Sequence, residues 1–164
     1  MTIIQRSLGQ WLLLALSIIG AGIAIYLTTV HYEHVPLLCS SQGIINCERV
    51  TSSAYSVVPG TTLPITIPGL AWFVVMAALA IAGLRGALRW VKMAALVWTI
   101  LGMLTVLYLV YAEIVQLHTI CAWCTGVHLI IFISFIIAIS EVYRSGQDEE
   151  VEAEEERSPM TSRR

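Results

Sequence analysis

Charge is scarce in this chain. Only 12% of its 164 residues are Asp, Glu, Lys or Arg, about half the share of an ordinary soluble domain. What charge there is lies mostly at one end. Seven of the 11 acidic residues fall within 148–156 (Asp148, Glu149, Glu150, Glu152, Glu154, Glu155 and Glu156). Up to Tyr143 there are five basic residues (Arg6, Arg49, Arg85, Arg89, Lys92) and four acidic ones (Glu33, Glu48, Glu113, Glu141). The formal charge of −2 therefore describes a tail, not a body. No basic patch exists to hold a nucleic acid. Nor is there enough polar surface to clothe a soluble domain, and an apolar content of 57% excludes disorder for everything but the tail. The length suits one domain.

A membrane-spanning helix needs about 20 apolar residues, because only internal hydrogen bonding satisfies backbone groups in hydrocarbon. Four stretches qualify: residues 11–30, 69–84, 93–112 and 121–140. The second opens after Pro68 and is short for a span; the third is stopped by Glu113 and the fourth by Glu141. The first is too long for the apolar core of a cleaved signal peptide. The fold class is thus all-α integral membrane, a four-transmembrane-helix bundle within residues 1–143. Four crossings put both termini on one side, and the positive-inside rule selects it. Arg6, Arg85, Arg89, Lys92 and Arg144 share the side of the termini, and Arg49 alone opposes them. Both ends are expected in the cytoplasm, with residues 31–68 and 113–120 outside.

Residues 31–68 are long for a connection, a length that usually signals function. They carry Val35, Leu37, Leu38, Ile44, Ile45, Tyr55, Val57, Val58 and Leu63, while Pro36, Pro59, Pro64 and Pro68 forbid one continuous helix. A partly helical cap over the outer end of the bundle is expected. Residues 144–164 are acidic and without apolar period, and read as a disordered cytoplasmic tail.

All four cysteines fall at the outer end of this topology. Cys39 and Cys47 form C-x7-C in the cap; Cys121 and Cys124 form C-A-W-C where the last helix begins. Disulfides persist in extracytoplasmic compartments, so an even set of thiols gathered there reads as redox or structural pairing. Positions i and i+3 share a helix face, which lets the second pair of sulfurs meet. Thr119 is the expected N-cap, placing Cys121 in the first turn, where unpaired N–H groups and the helix dipole favour a thiolate. A thiolate at the bilayer boundary can meet a lipid-soluble acceptor from one side and an aqueous protein from the other. Two alternatives use the same residues. One is a non-enzymatic helical protein stapled by structural disulfides, and the other is a four-cysteine zinc site.

Over residues 7–143 the chain resembles the vitamin K epoxide reductase family of membrane thiol–quinone oxidoreductases, in its bacterial form. The resemblance is carried by C-x7-C in the first outer loop, by the run Cys47-Glu48-Arg49-Val50-Thr51-Ser52-Ser53, and by C-x-x-C opening the last helix. The DsbB proteins also have four crossings but carry C-x-x-C in their first outer loop. The family resemblance implies an active-site pair, Cys121 and Cys124, beside a quinone (ubiquinone or menaquinone), with no metal. Cys124 would contact or add to the quinone ring and Cys121 would resolve it. It implies a shuttle pair as well, Cys39 exchanging with an external dithiol and Cys47 passing electrons to Cys121. Ser53 would lie near the quinone. The implied partner is a separate DsbA-like thioredoxin-fold protein, and the implied location the bacterial inner membrane. Animal members carry an asparagine shortly before the second helix and a tyrosine four residues after the second active-site cysteine. Here residues 61–67 hold no asparagine and position 128 is His128. Both differences favour simple quinone reduction over vitamin K epoxide reduction.

Among the remaining polar residues, His128 shares a helix face with Cys121 and Cys124, and a histidine at that depth needs a partner or a polar cavity. Contact with the quinone or proton delivery is expected of it. Trp123, inside C-A-W-C, is expected to border the quinone. His31, Glu33, His34 and Glu113 are expected at a water-reached edge, His118 near Cys121, and Arg49 as a cap anchor. Trp72 and Trp98 read as bundle packing, and Ala78 with Ala82 as a close-packing face.

Overall fold

The computed structural model describes residues 3–33, 39, 44–86 and 89–161. His34, Val35, Leu37 and Leu38 lie outside the described residues. The main helices are α1 (Ile3–Glu33), α3 (Thr66–Leu84), α4 (Arg89–Tyr111) and α5 (Ala122–Thr161); the short α2 (Cys47–Thr51) and a 3-10 turn (Ala54–Ser56) lie between α1 and α3. Four helices are long and apolar enough to cross a membrane: Leu8–Glu33, Thr66–Leu84, Arg89–Gln116 and Ala122–Gln147. They close a ring, α1 on α3, α3 on α4, α4 on α5 and α5 on α1. At most 28% of the apolar window of any span is buried inside the protein. Ile18, Ile25, Val74, Ile81, Leu101, Leu104, Phe132 and Ile136 all face outward, a surface that only hydrocarbon can cover without penalty.

Three of the boundaries that differ from those the sequence suggests bear on how the chain crosses the bilayer and builds its site. The helix α3 begins at Thr66, so Pro68 stands inside its first turn. A proline there removes an N–H that has no intrahelical partner anyway. The resulting helix of 19 residues reaches about 28 Å at 1.5 Å per residue, enough for the hydrocarbon layer. At the other end, α5 does not stop at Glu141 but continues to Thr161. The acidic stretch expected to be disordered is helical here, in keeping with its content of Glu, Ala and Arg, which are good helix formers. And α4 does not stop at Glu113 but passes into a π turn, Ala112–Gln116.

Between helices in lipid, packing rather than water exclusion supplies the cohesion. Small residues let large ones in: the Phe73 ring of α3 lies where a side chain on Gly20 of α1 would be, and the Trp72 indole covers Gly102 of α4. Phe73, Leu13 and Met76 are buried completely. Trp72 and Trp98 donate indole N–H bonds to each other's backbone carbonyls, 3.0 and 3.1 Å, and so tie α3 to α4. The buried stripe of α3 is Phe73, Met76 and Ala80. Ala78 is exposed, so the close-packing face expected of Ala78 and Ala82 is not the one used.

At the tail end of the bundle one polar group is enclosed. Glu141 is 3% exposed; its carboxylate accepts from Gln10 Nε2 at 3.2 Å and lies 3.7 Å from Lys92 Nζ. Lys92 also donates to Ser145 Oγ at 2.6 Å. A carboxylate so buried is tolerated because it is paired.

Candidate active site

The cap is held to the bundle by backbone pairing. Ile45 and Ile120 form an isolated parallel bridge, with Asn46 N–H donating to Ile120 O at 3.1 Å and Ile120 N–H to Ile44 O at 2.9 Å. Asn46 then caps α2, its Oδ1 accepting from Arg49 N–H at 3.0 Å. Cys47 therefore opens α2 beside the segment that ends in Cys121. Cys47 and Cys121 are 1% and 0% exposed. With Val50 they form one buried cluster, against which Cys39, Leu117, Trp123 and Cys124 pack. All four cysteines, separated by up to 85 positions in the chain (124 minus 39), thus meet in one place. Cys39 and Cys47 are joined as a disulfide, Cα–Cα 6.2 Å; Cys121 and Cys124 are not bonded to each other.

Cys121 occupies the N-cap position of α5, not its first turn as expected from a Thr119 cap. Its carbonyl accepts the first intrahelical bond, from Thr125 N–H at 2.9 Å, and its sulfur accepts the Cys124 N–H at 3.3 Å. A sulfur here does what a Ser or Asp oxygen does at other helix starts. The Cys124 thiol hydrogen bond, followed by that backbone N–H, holds the Cys121 thiol below its ordinary pKa even though burial pushes it the other way. His118 has no part in this. Its residue is exposed and left-handed (φ 49°), and Nδ1 lies 3.0 Å from the Ile114 carbonyl, which it faces as a donor.

Glu113 is the residue that sequence reasoning misplaced. Expected at a water-reached edge, it is 6% exposed. The π turn explains why: one extra residue per turn, with Leu117 N–H donating to Ala112 O at 2.9 Å, rotates Ala112 and Glu113 inward while Ile114, Val115 and Gln116 face out. Such turns recur at functional sites. The carboxyl group lies within hydrogen-bonding reach of the Cys124 thiol and of the Cys121 backbone. One signal was available in the sequence, since a lone acidic residue at the end of an apolar span is costly unless it has a use.

Two cavities meet at Cys124. The larger, about 450 Å³, is walled by α1, α3, α4 and α5, with Trp72, Phe73, Trp98, Val106, Cys124, His128 and Ile131 among its residues. That volume lies in the range of small-molecule sites, and the mostly apolar lining with few polar groups is of the usual kind. The smaller, about 60 Å³, lies under the cap, and His31, Tyr55, Glu113, Cys124 and His128 line it. His128 is 8% exposed and stands one turn below Cys124 at the wall both cavities share.

A sequence model described as the vitamin K epoxide reductase family matches residues 11–139, which take in all four cysteines and most or all of each of the four spans. The chain belongs to that family. No curated protein matches the chain closely enough to count as a relative. Membership makes the protein a thiol–disulfide oxidoreductase acting on quinone. The larger cavity is an apolar chamber with the Cys124 thiol in its wall.

Two other residues expected beside the quinone do not line these cavities. Ser53 lines neither cavity: its hydroxyl donates to Val50 O at 2.7 Å and accepts from Tyr55 N–H, capping the 3-10 turn. Trp123 lines neither; its ring packs on Tyr26 of α1 with centroids 5.0 Å apart. Both positions follow from local geometry, since Ser53 precedes a turn with unpaired N–H groups and Trp123 points to the α1 side of α5. Arg49 is exposed on the cap. Among the described residues, no group of three or more His, Cys, Asp or Glu side chains is placed to hold a metal.

Proposed function

We propose that the protein generates disulfides. An extracytoplasmic dithiol protein of the thioredoxin fold is oxidised through Cys39–Cys47; two electrons pass by thiol–disulfide exchange to Cys121 and Cys124, and from Cys124 to a membrane quinone. The observation that carries this reading is the buried cluster that joins Cys47 to Cys121, with Cys124 in the wall of the apolar cavity. The bonding pattern, a disulfide at Cys39–Cys47 and two free thiols at Cys121 and Cys124, corresponds to the relay after electrons have passed from Cys39 and Cys47 to Cys121 and Cys124 and before quinone reduction. A low thiol pKa at Cys121 favours release of that sulfur from a mixed disulfide with Cys47. His128, uncovered to the same cavity, orients a quinone oxygen. The membrane is the bacterial inner membrane, with both termini in the cytoplasm and the cysteines outside.

The test is quinone reduction by purified protein supplied with a small dithiol. Cys121→Ala and Cys124→Ala are expected to abolish it. Cys39→Ala is expected to spare reduction driven by the small dithiol while blocking oxidation of a thioredoxin-fold partner. Normal partner oxidation by Cys39→Ala would refute the shuttle assignment. Two disulfides that dithiol and quinone never cycle would establish a purely structural role instead.

A further inference from the structure

Reduction of a quinone by a dithiol balances its protons internally. Two S–H bonds break, one S–S bond forms, and both protons must end on the two quinone oxygens with the electron pair. The protons need a carrier, because sulfurs enclosed in the protein beneath the cap do not release them directly to bulk water. The side chains that meet at Cys124 limit the choice. Cys121 is the source of one of the two protons, not a carrier between sulfur and quinone. His128 lines both cavities one turn from Cys124, but the one carboxyl group in reach of the Cys124 thiol among the described residues is Glu113.

We propose that Glu113 is the catalytic proton carrier of the thiol–quinone step, taking the Cys124 proton and passing it to the quinone oxygen. Three observations support the assignment. Glu113 is buried at the mouth of the active-site pair and not at the solvent edge. It is turned there by a π turn that a regular helix would not need. And it lines the smaller cavity, which shares Cys124 and His128 with the larger one. At about 60 Å³ that cavity has room for a few water molecules, each needing roughly 10–15 Å³ of this measure. A proton can therefore pass from Glu113 to the chamber without crossing hydrocarbon. The second proton, from Cys121, follows the same route once Glu113 has given up the first, and the carboxylate is regenerated.

The inference rests on the quinone-reducing role proposed above. Its test is single-turnover quinol formation, followed by absorbance after prereduced protein is mixed with a short-chain quinone across a pH series. The titratable groups that face Glu113 are Cys121, Cys124 and His128 from α5, His31 from α1 and Tyr55 from the 3-10 turn, so Glu113→Gln is compared with His31→Gln and Tyr55→Phe. Loss of a positioned acid–base group slows a reaction typically by about 100-fold or more. Glu113→Gln is expected to show that loss at neutral pH with a flattened pH profile, Glu113→Asp to recover part of the rate, and exchange of the Cys39–Cys47 disulfide with a small dithiol to stay unchanged. Glu33→Gln, which removes an exposed charge at the end of α1, controls for lost negative charge and is expected to behave as wild type. A Glu113→Gln protein with wild-type rate and profile would overturn the proposal alone. So would an equal slowing of quinone reduction and disulfide exchange at every pH, the mark of a structural role. Wild-type protein that reduces no quinone would overturn both this proposal and the function it rests on.

Discussion

Replacing Cys124 by Ala removes the donor that contributes most to the low pKa of Cys121, while leaving the backbone N–H at 3.3 Å in place. A hydrogen bond to a charged group is worth roughly 1.5–3 kcal/mol, and one pKa unit corresponds to about 1.4 kcal/mol. Since the N–H remains and the neighbours relax into the space, the Cys121 value is expected to rise part of the way back toward that of an ordinary thiol. Cys124→Ser keeps an O–H donor at the same position and is expected to raise the value by much less. The Cys39–Cys47 disulfide does not titrate, so each variant has one titrating thiol, and thiolate absorbance against pH reads it directly. In the wild-type dithiol form the sign of the linkage is fixed. Folding lowers the Cys121 pKa, so its contribution to stability is complete above the ordinary thiol value of about 8.5 and is lost as pH falls through the folded value. Denaturant midpoints of the reduced protein should therefore fall as pH is lowered across that window. If Ala and Ser variants titrate together, or if Cys121 in the Ala variant titrates no higher than in wild type, the hydrogen bond is not what holds the thiolate.

Other expected outcomes are as follows. Gly69→Phe, at a cavity-lining position where an added Cβ meets nothing, should raise the KM for quinone or abolish quinone reduction, and leave exchange with a small dithiol intact. Lys92→Ala should strand the buried Glu141 carboxylate and destabilise by about 3 kcal/mol, measured by unfolding in detergent; Glu141→Gln should cost less. Gly20→Ala drives a methyl group into the Phe73 ring and should cost roughly 1–3 kcal/mol by overpacking, with little loss if Phe73→Leu is made alongside it.

The spans were legible in the sequence because hydrocarbon imposes a length and a composition on any helix that crosses it. The clustering of the cysteines followed from the same topology, since four crossings bring the cap and the start of α5 to one end. What the sequence did not disclose was set by a few backbone details. The N-cap went to Cys121 rather than Thr119, because the left-handed turn at His118 and the bridge to Ile45 delay the helix by two residues. Glu113 was misjudged because a π turn changes the phase of a helix without any proline or glycine to announce it. The hydroxyl of Ser53, a residue placed near the quinone by family resemblance, is engaged by its chain neighbours Val50 and Tyr55.

The relay depends on one covalent exchange, between the cap and the last helix. In a protein carrying both Cys39→Ala and Cys124→Ala only Cys47 and Cys121 remain, two sulfurs packed in one buried cluster. Mild oxidation followed by digestion and mass spectrometry should find them joined in nearly every molecule. Two free, separately alkylated thiols after the same treatment would contradict the electron path described here.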